Sequence, residues 1–154
     1  MMHLSQDEPA AARLEIERHV QRWTHPGPAL PKVSGMTWSV ASELYEGRGR
    51  AAHRRLSAEL TLPVRMMTRE AQIVRIIVAD LRARAALLAA AELPAGREQL
   101  LSETAGIIKQ LGPESTGWST AAGHALRGGA AFVRGDRPTA LVELGQAIQR
   151  FDQA

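Results

Sequence analysis

"VRGDRPTALVEL" occupies residues 133–144 and "YEGRGRAAHRRL" residues 45–56, and both are written in one grammar. Gly135 stands nine residues before Leu144, and Gly47 stands nine residues before Leu56. Ala140 and Ala52 hold the matching places between them. A glycine just past an amphipathic run supplies the left-handed backbone on which a helix reverses direction. The shared spacing therefore predicts two helix–corner–helix hairpins, with no phosphate cradled by the glycines. "ELPAG", residues 92–96, makes a third turn roughly midway. Turns recurring every ~42–46 residues between helix pairs indicate a helical solenoid.

The rest of the chain reads outward from those corners. A leading helix is expected over about residues 8–24, with Pro9 in its first turn and Leu14, Val20 and Trp23 facing inward. "HPGPALPK", residues 25–32, breaks the chain with three prolines and a glycine. Three helix pairs follow over 33–62, 65–111 and 116–152. In the first, helices over 33–46 and 50–62 flank the Gly47 corner, and Pro63 stops the second of them. The longest helix, 65–92, lines one face with Val74, Val78, Leu81, Ala85 and Leu88, while Ile73 and Ile77 widen the stripe. So broad an apolar arc predicts packing on both sides. Gly112 and Pro113 end the fifth helix, and Ser115 or Thr116 caps the sixth, which carries Trp118, Ala122, Ala125, Gly129 and Phe132. The seventh carries Ala140, Leu141, Leu144, Ala147, Ile148 and Phe151. The fold class expected is all-α: a right-handed helical-hairpin solenoid of about seven antiparallel helices forming one domain over residues 1–154.

Composition agrees. Apolar residues make up 45% of the 154 residues but aromatics only 4%, so the core rests on Ala, Leu, Ile and Val. Ala and Leu cost least in a helix interior. Nineteen cationic side chains face sixteen carboxylates, a small excess, and only Lys32 and Lys109 are lysines. No cysteine is present, which excludes disulfides and thiolate metal sites. The first residues carry no basic and apolar leader pattern, and Arg75, Asp80, Arg82 and Arg84 interrupt the most apolar stretch. A soluble cytoplasmic protein without a membrane span is the expectation.

"GHALRGGAAFVRGDRPTALVELGQAI", residues 123–148, resembles a degenerate tetratricopeptide repeat: Gly128, Ala140, Leu144 and Ala147 fall at its small and apolar signature positions. The closing proline of that repeat is absent, and Asp152 stands near its place. "WSVASELYEGRGRAAHRRL" (38–56) followed by "VRIIVADLRARAALLAAA" (74–91) is similar to the C-terminal helical-repeat region of large bacterial serine/threonine protein kinases, the myxobacterial type especially. The likeness covers about residues 15–152 and rests on pattern and turn grammar. No Gly-rich nucleotide loop, His-Arg-Asp loop or Asp-Phe-Gly element accompanies it.

Candidate chemistry is sparse. "GWSTAAG", residues 117–123, lacks the second glycine spacing of a nucleophile elbow, so Ser119 reads as a helix N-terminal serine. His3, His19, His25, His53 and His124 show no paired metal-ligand spacing. "RGD", 134–136, is a helix corner. No catalytic residue, cofactor or metal site is expected. Arg65, Arg69, Arg75 and Arg82 fall near one side of the longest helix, but carboxylates are interspersed, and Asp80 and Arg84 are spaced as an i,i+4 ion pair. The resemblance implies that the first helix of each pair lines a concave surface. It makes Ser42, Arg69, Gln72, Arg75, His124 and Arg127 the partner-binding candidates on a protein–protein interaction scaffold, with an acidic peptide or protein as partner. The rivals are a nucleic-acid-binding adaptor using the Arg face and a small helical ligand-binding protein.

Overall fold

The computed structural model describes residues 2–22, 30–60, 71–112 and 116–154, and every regular element among them is a helix. A single turn, α1 (Met2–Ser5), precedes seven longer helices. These are α2 (Pro9–Gln21), α3 (Leu30–Tyr45), α4 (Gly49–Glu59), α5 (Gln72–Glu92), α6 (Arg97–Leu111), α7 (Gly117–Arg134) and α8 (Arg137–Asp152).

Several boundaries differ from expectation: α2 ends at Gln21, short of residue 24, and α4 ends at Glu59, short of residue 62, with Leu60 already out of helical backbone (φ −74°, ψ 58°). α3 begins at Leu30, inside the proline-rich stretch, because Pro31 occupies the first turn, where no intrahelical N–H is needed. α5 begins at Gln72, since Ala71 takes extended backbone (φ −104°, ψ 108°). Trp23, Pro63, Arg65, Arg69, Pro113 and Ser115 lie outside the described residues.

The corners explain how the helices turn back. Gly47 has φ +72° and Gly135 φ +84°. In the first corner the Arg48 N–H bonds the Glu43 carbonyl at 2.8 Å; in the other the Asp136 N–H bonds the Ala131 carbonyl at 2.9 Å. Both bonds reach back five residues across the glycine, the closure that satisfies orphaned carbonyls at a helix C-terminus. The repeated sequence grammar is thus one repeated backbone motif. Gly96 (φ +88°) marks the third turn, standing just before α6.

Each helix packs on its chain neighbours, and α3, α5 and α7 also touch in series. α7 and α8 run antiparallel along their full length: a Cβ on Gly117 would stand 3.0 Å from Ala154, and one on Gly128 would stand 2.8 Å from Leu144. At the other interface, a Cβ on Gly49 would stand 2.5 Å from the Ala89 backbone nitrogen, so α4 starts almost on the backbone of α5. There the Glu92 carboxylate accepts from the Gly49 N–H at 2.6 Å and the Arg50 N–H at 3.3 Å. A carboxylate at that position satisfies two orphan donors and complements the helix dipole.

Two apolar clusters fill the interior. Val33, Met36 and Val40 of α3 join Ala52 and Leu56 of α4 and Val78 and Ala85 of α5. Ile76, Ala83, Leu87 and Ala90 of α5 join Leu101, Ile107 and Leu111 of α6 and Leu126 and Ala130 of α7. α5 therefore serves both clusters, which accounts for its wide apolar arc. On α8, by contrast, only Ala140 and Ala147 are buried, while Leu141, Leu144 and Ile148 are exposed. That helix has α7 along one side; Leu144 lies at the edge of that contact, against Gly128, and Leu141 and Ile148 beyond it stay open.

Candidate functional site

Where α3, α5 and α7 converge they leave a groove of about 340 Å³. Trp38 and Ala41 come from α3, Ile77, Asp80 and Leu81 from α5, and Trp118 from the start of α7. The wall on α3 has settled its own polar groups: the Thr37 hydroxyl donates to the Ser34 carbonyl at 2.9 Å. What remains is apolar surface, with Trp38 39% exposed and Ile77 36%. Side chains of this kind left open at one place mark a contact surface when they are contiguous.

Asp80 is the exception in that lining. It is buried, and the Arg84 guanidinium, one helical turn on, reaches it at 3.0 Å. Burial raises the Asp80 pKa above the ordinary carboxylate value, against the opposing pull of Arg84. The i,i+4 pair read from the sequence is therefore real, but it lies at the groove and not on a remote solvated face. Arg84 itself stays half exposed beside it.

A second cleft, of about 580 Å³, opens between α2, α3 and α4. Glu17, Lys32, Arg55 and Glu59 are its charged lining residues; Arg55 and Glu59 pair at 3.0 Å, and Arg55 also binds the buried Glu43 at 2.8 Å. It offers no comparable aromatic surface.

The six partner-binding candidates do not assemble into one site. Ser42 is fully buried between packed helices and presents nothing to a partner. Its small side chain suits close packing of α3. Gln72 and Arg75 lie on α5, five and two residues before Ile77, so helical periodicity carries them to the side away from the groove. His124 and Arg127 both engage Glu143 of α8, at 2.7 and 3.0 Å, and so tie α7 to its hairpin partner. Arg69 lies outside the described residues. The difference is one of helix face: at His124 and Arg127, choice by polarity selects residues that bind the neighbouring helix. The groove residues are legible as apolar positions, but apolarity alone assigns them to the core; for Trp118 that holds in part, since it packs against the second cluster while also walling the groove.

Other arginines are likewise engaged. Arg82 and His53 converge on Glu103 at 2.7 and 3.0 Å, joining α5, α4 and α6. Burial would raise the Glu103 pKa, but the bonds from His53 and Arg82 outweigh it and hold the group below its ordinary value. Arg13 pairs with Glu46, linking α2 to the end of α3. These pairs break up the cationic face that a phosphate backbone would need.

Ser119 is the third residue of α7. Its amide bonds the Thr116 side chain at 3.0 Å, and its hydroxyl accepts from the Thr116 N–H at 3.1 Å. This reciprocal capping box makes Thr116 the cap, of the two candidates Ser115 and Thr116, and engages the Ser119 hydroxyl structurally. No group of three or more metal-ligating side chains occurs among the described residues, and no described helix is long and apolar enough to cross a membrane. No family model matches the chain, and no curated protein or solved structure matches it significantly.

Proposed function

We propose that the chain is a non-catalytic scaffold of tetratricopeptide-like helix pairs that holds a peptide or protein segment in the α3–α5–α7 groove. The observation carrying this reading is the groove itself, where three successive first helices leave Trp38, Ile77 and Trp118 around a shallow apolar floor. Serial contact between first helices is the arrangement of a right-handed solenoid, and the matching Gly47 and Gly135 corners support the same architecture. An apolar or aromatic anchor residue fits the floor. The acidic character expected of the partner finds its support in Arg84, a half-exposed guanidinium one turn beyond the groove lining and paired to Asp80 within it. The kinase-region resemblance makes a signalling protein the partner class of choice.

The test is selection of peptides from a displayed random library, followed by titration against groove variants. Trp38→Ala and Ile77→Glu abolish binding while melting stays near that of the parent, and Arg75→Glu, on the other side of α5, leaves binding intact. If the selected peptides ignore the groove variants, the groove reading is wrong. If random-sequence oligonucleotides bind with a steep salt dependence, the nucleic-acid adaptor takes its place.

A further inference from the structure

We propose that a second copy of this chain packs antiparallel on α8, making the protein a two-fold dimer through a surface separate from the groove. Leu141, Leu144, Ile148 and Phe151 recur at helical spacing along one face of α8, and Leu141 and Ile148 are 73% and 64% exposed. Phe132, near the end of α7, is 66% exposed. Together these side chains open on the order of 500 Å² of apolar surface, the upper end for a monomer and more than half of what one side of a standard interface buries.

The order of residues along α8 says what covers that face. A two-fold axis between Leu144 and Gly145 places Leu141 opposite Ile148 of the second copy. It also places Arg137, at the start of the stripe, opposite Asp152, at its end. Both are exposed, and neither enters an ion pair among the described residues. The same face is therefore complementary to itself in apolar pairing and in charge, as an isologous contact requires. Gly145 adds a second sign. It sits mid-helix, and a Cβ there would meet nothing within 4 Å, so no contact within the chain calls for glycine. Glycine there costs about 1 kcal/mol relative to alanine. Next to the axis, Gly145 stands opposite Leu144 of the second copy, one residue from that copy's Gly145, and lets the helices approach closely.

Sedimentation equilibrium over roughly 1–100 µM shows a reversible dimer if the inference holds. Leu141→Glu, on an exposed side chain that leaves the fold intact, makes it monomeric. Arg137→Asp weakens association by about tenfold, and adding Asp152→Arg restores it. Because the chain has no cysteine, Gly145→Cys gives a unique thiol. Mild oxidation cross-links it across the axis, whereas Gln146→Cys, on the far face, stays reduced. A monomer at every concentration overturns the inference. So does a dimer indifferent to Leu141→Glu, a charge swap without rescue, or a monomer whose α8 face instead captures an unrelated amphipathic helix.

Discussion

Replacing Gly49 with alanine tests the closest contact between helices. The added methyl would stand 2.5 Å from the Ala89 nitrogen and 2.6 Å from the Leu88 carbonyl carbon. Both are backbone atoms of α5 and cannot rotate aside, so α4 has to retreat by about 1 Å to restore van der Waals separation. Overpacking of this kind costs about 1–3 kcal/mol. Retreat also stretches the 2.6 Å bond from the Gly49 N–H to Glu92, worth about another 1 kcal/mol. Reduced freedom of the unfolded chain returns about 0.4–1 kcal/mol. The net loss is about 2–3 kcal/mol, or about 5–10 °C in melting temperature for a chain of this size. The assay is thermal unfolding by far-UV circular dichroism. Gly47→Ala and Gly106→Ala calibrate it, since neither added methyl meets anything within 4 Å. Gly47 carries a positive φ, so alanine there loses about 1 kcal/mol, whereas at helical Gly106 alanine gains about the same. If Gly49→Ala melts no lower than Gly47→Ala, the close approach of α4 to α5 is wrong.

Gly47→Val and Gly135→Val, at corners closed by the same hydrogen bond, lower stability by similar amounts, on the order of 1–2 kcal/mol or more; unchanged melting of both refutes the repeat reading. Glu103→Gln flattens the acid limb of the stability profile: a carboxylate held below its ordinary pKa stabilises above about 4.5, and that contribution is lost as pH falls through the folded value. An unaltered acid limb in urea titrations between pH 3 and 6 counts against it. Asp80 runs the other way. Its raised pKa means the folded state disfavours the charged form, so Asp80→Asn melts no lower than the parent at pH 7; a clear drop shows the carboxylate to be a net stabiliser. At physiological salt, random oligonucleotides show no measurable affinity in anisotropy titrations, given an excess of three charges and arginines engaged by carboxylates.

Much of the fold is legible because glycine corners and prolines act locally. Gly47 and Gly135 announce the same turn by the same spacing, and Thr116 announces a helix start. α5 announces its double packing through the breadth of its apolar arc. The site is illegible for a physical reason. Periodicity tells that Trp38, Ile77 and Trp118 are apolar and on helices, but not that three helices diverge enough to leave Trp38 and Ile77 open beside a partly buried Trp118. Polarity misleads in the same way: Arg127 and His124 look like ligands for a partner until Glu143, from the next helix, is placed between them. The start of α3 escapes the sequence because Pro31 reads as a breaker where it serves as a first-turn residue.

The position of α5 between two apolar clusters has a consequence for how the molecule comes apart. Its buried amides become solvent-accessible only when both flanks open together, so their hydrogen exchange reports the global unfolding free energy. α2 and α8, each docked along one side, can detach alone, and their amides exchange through smaller openings. Limited proteolysis then trims the ends first and leaves a resistant fragment centred on residues 72–92. Once a cut falls within that helix, neither remaining piece keeps a closed interior, and digestion runs to completion without a stable half-molecule.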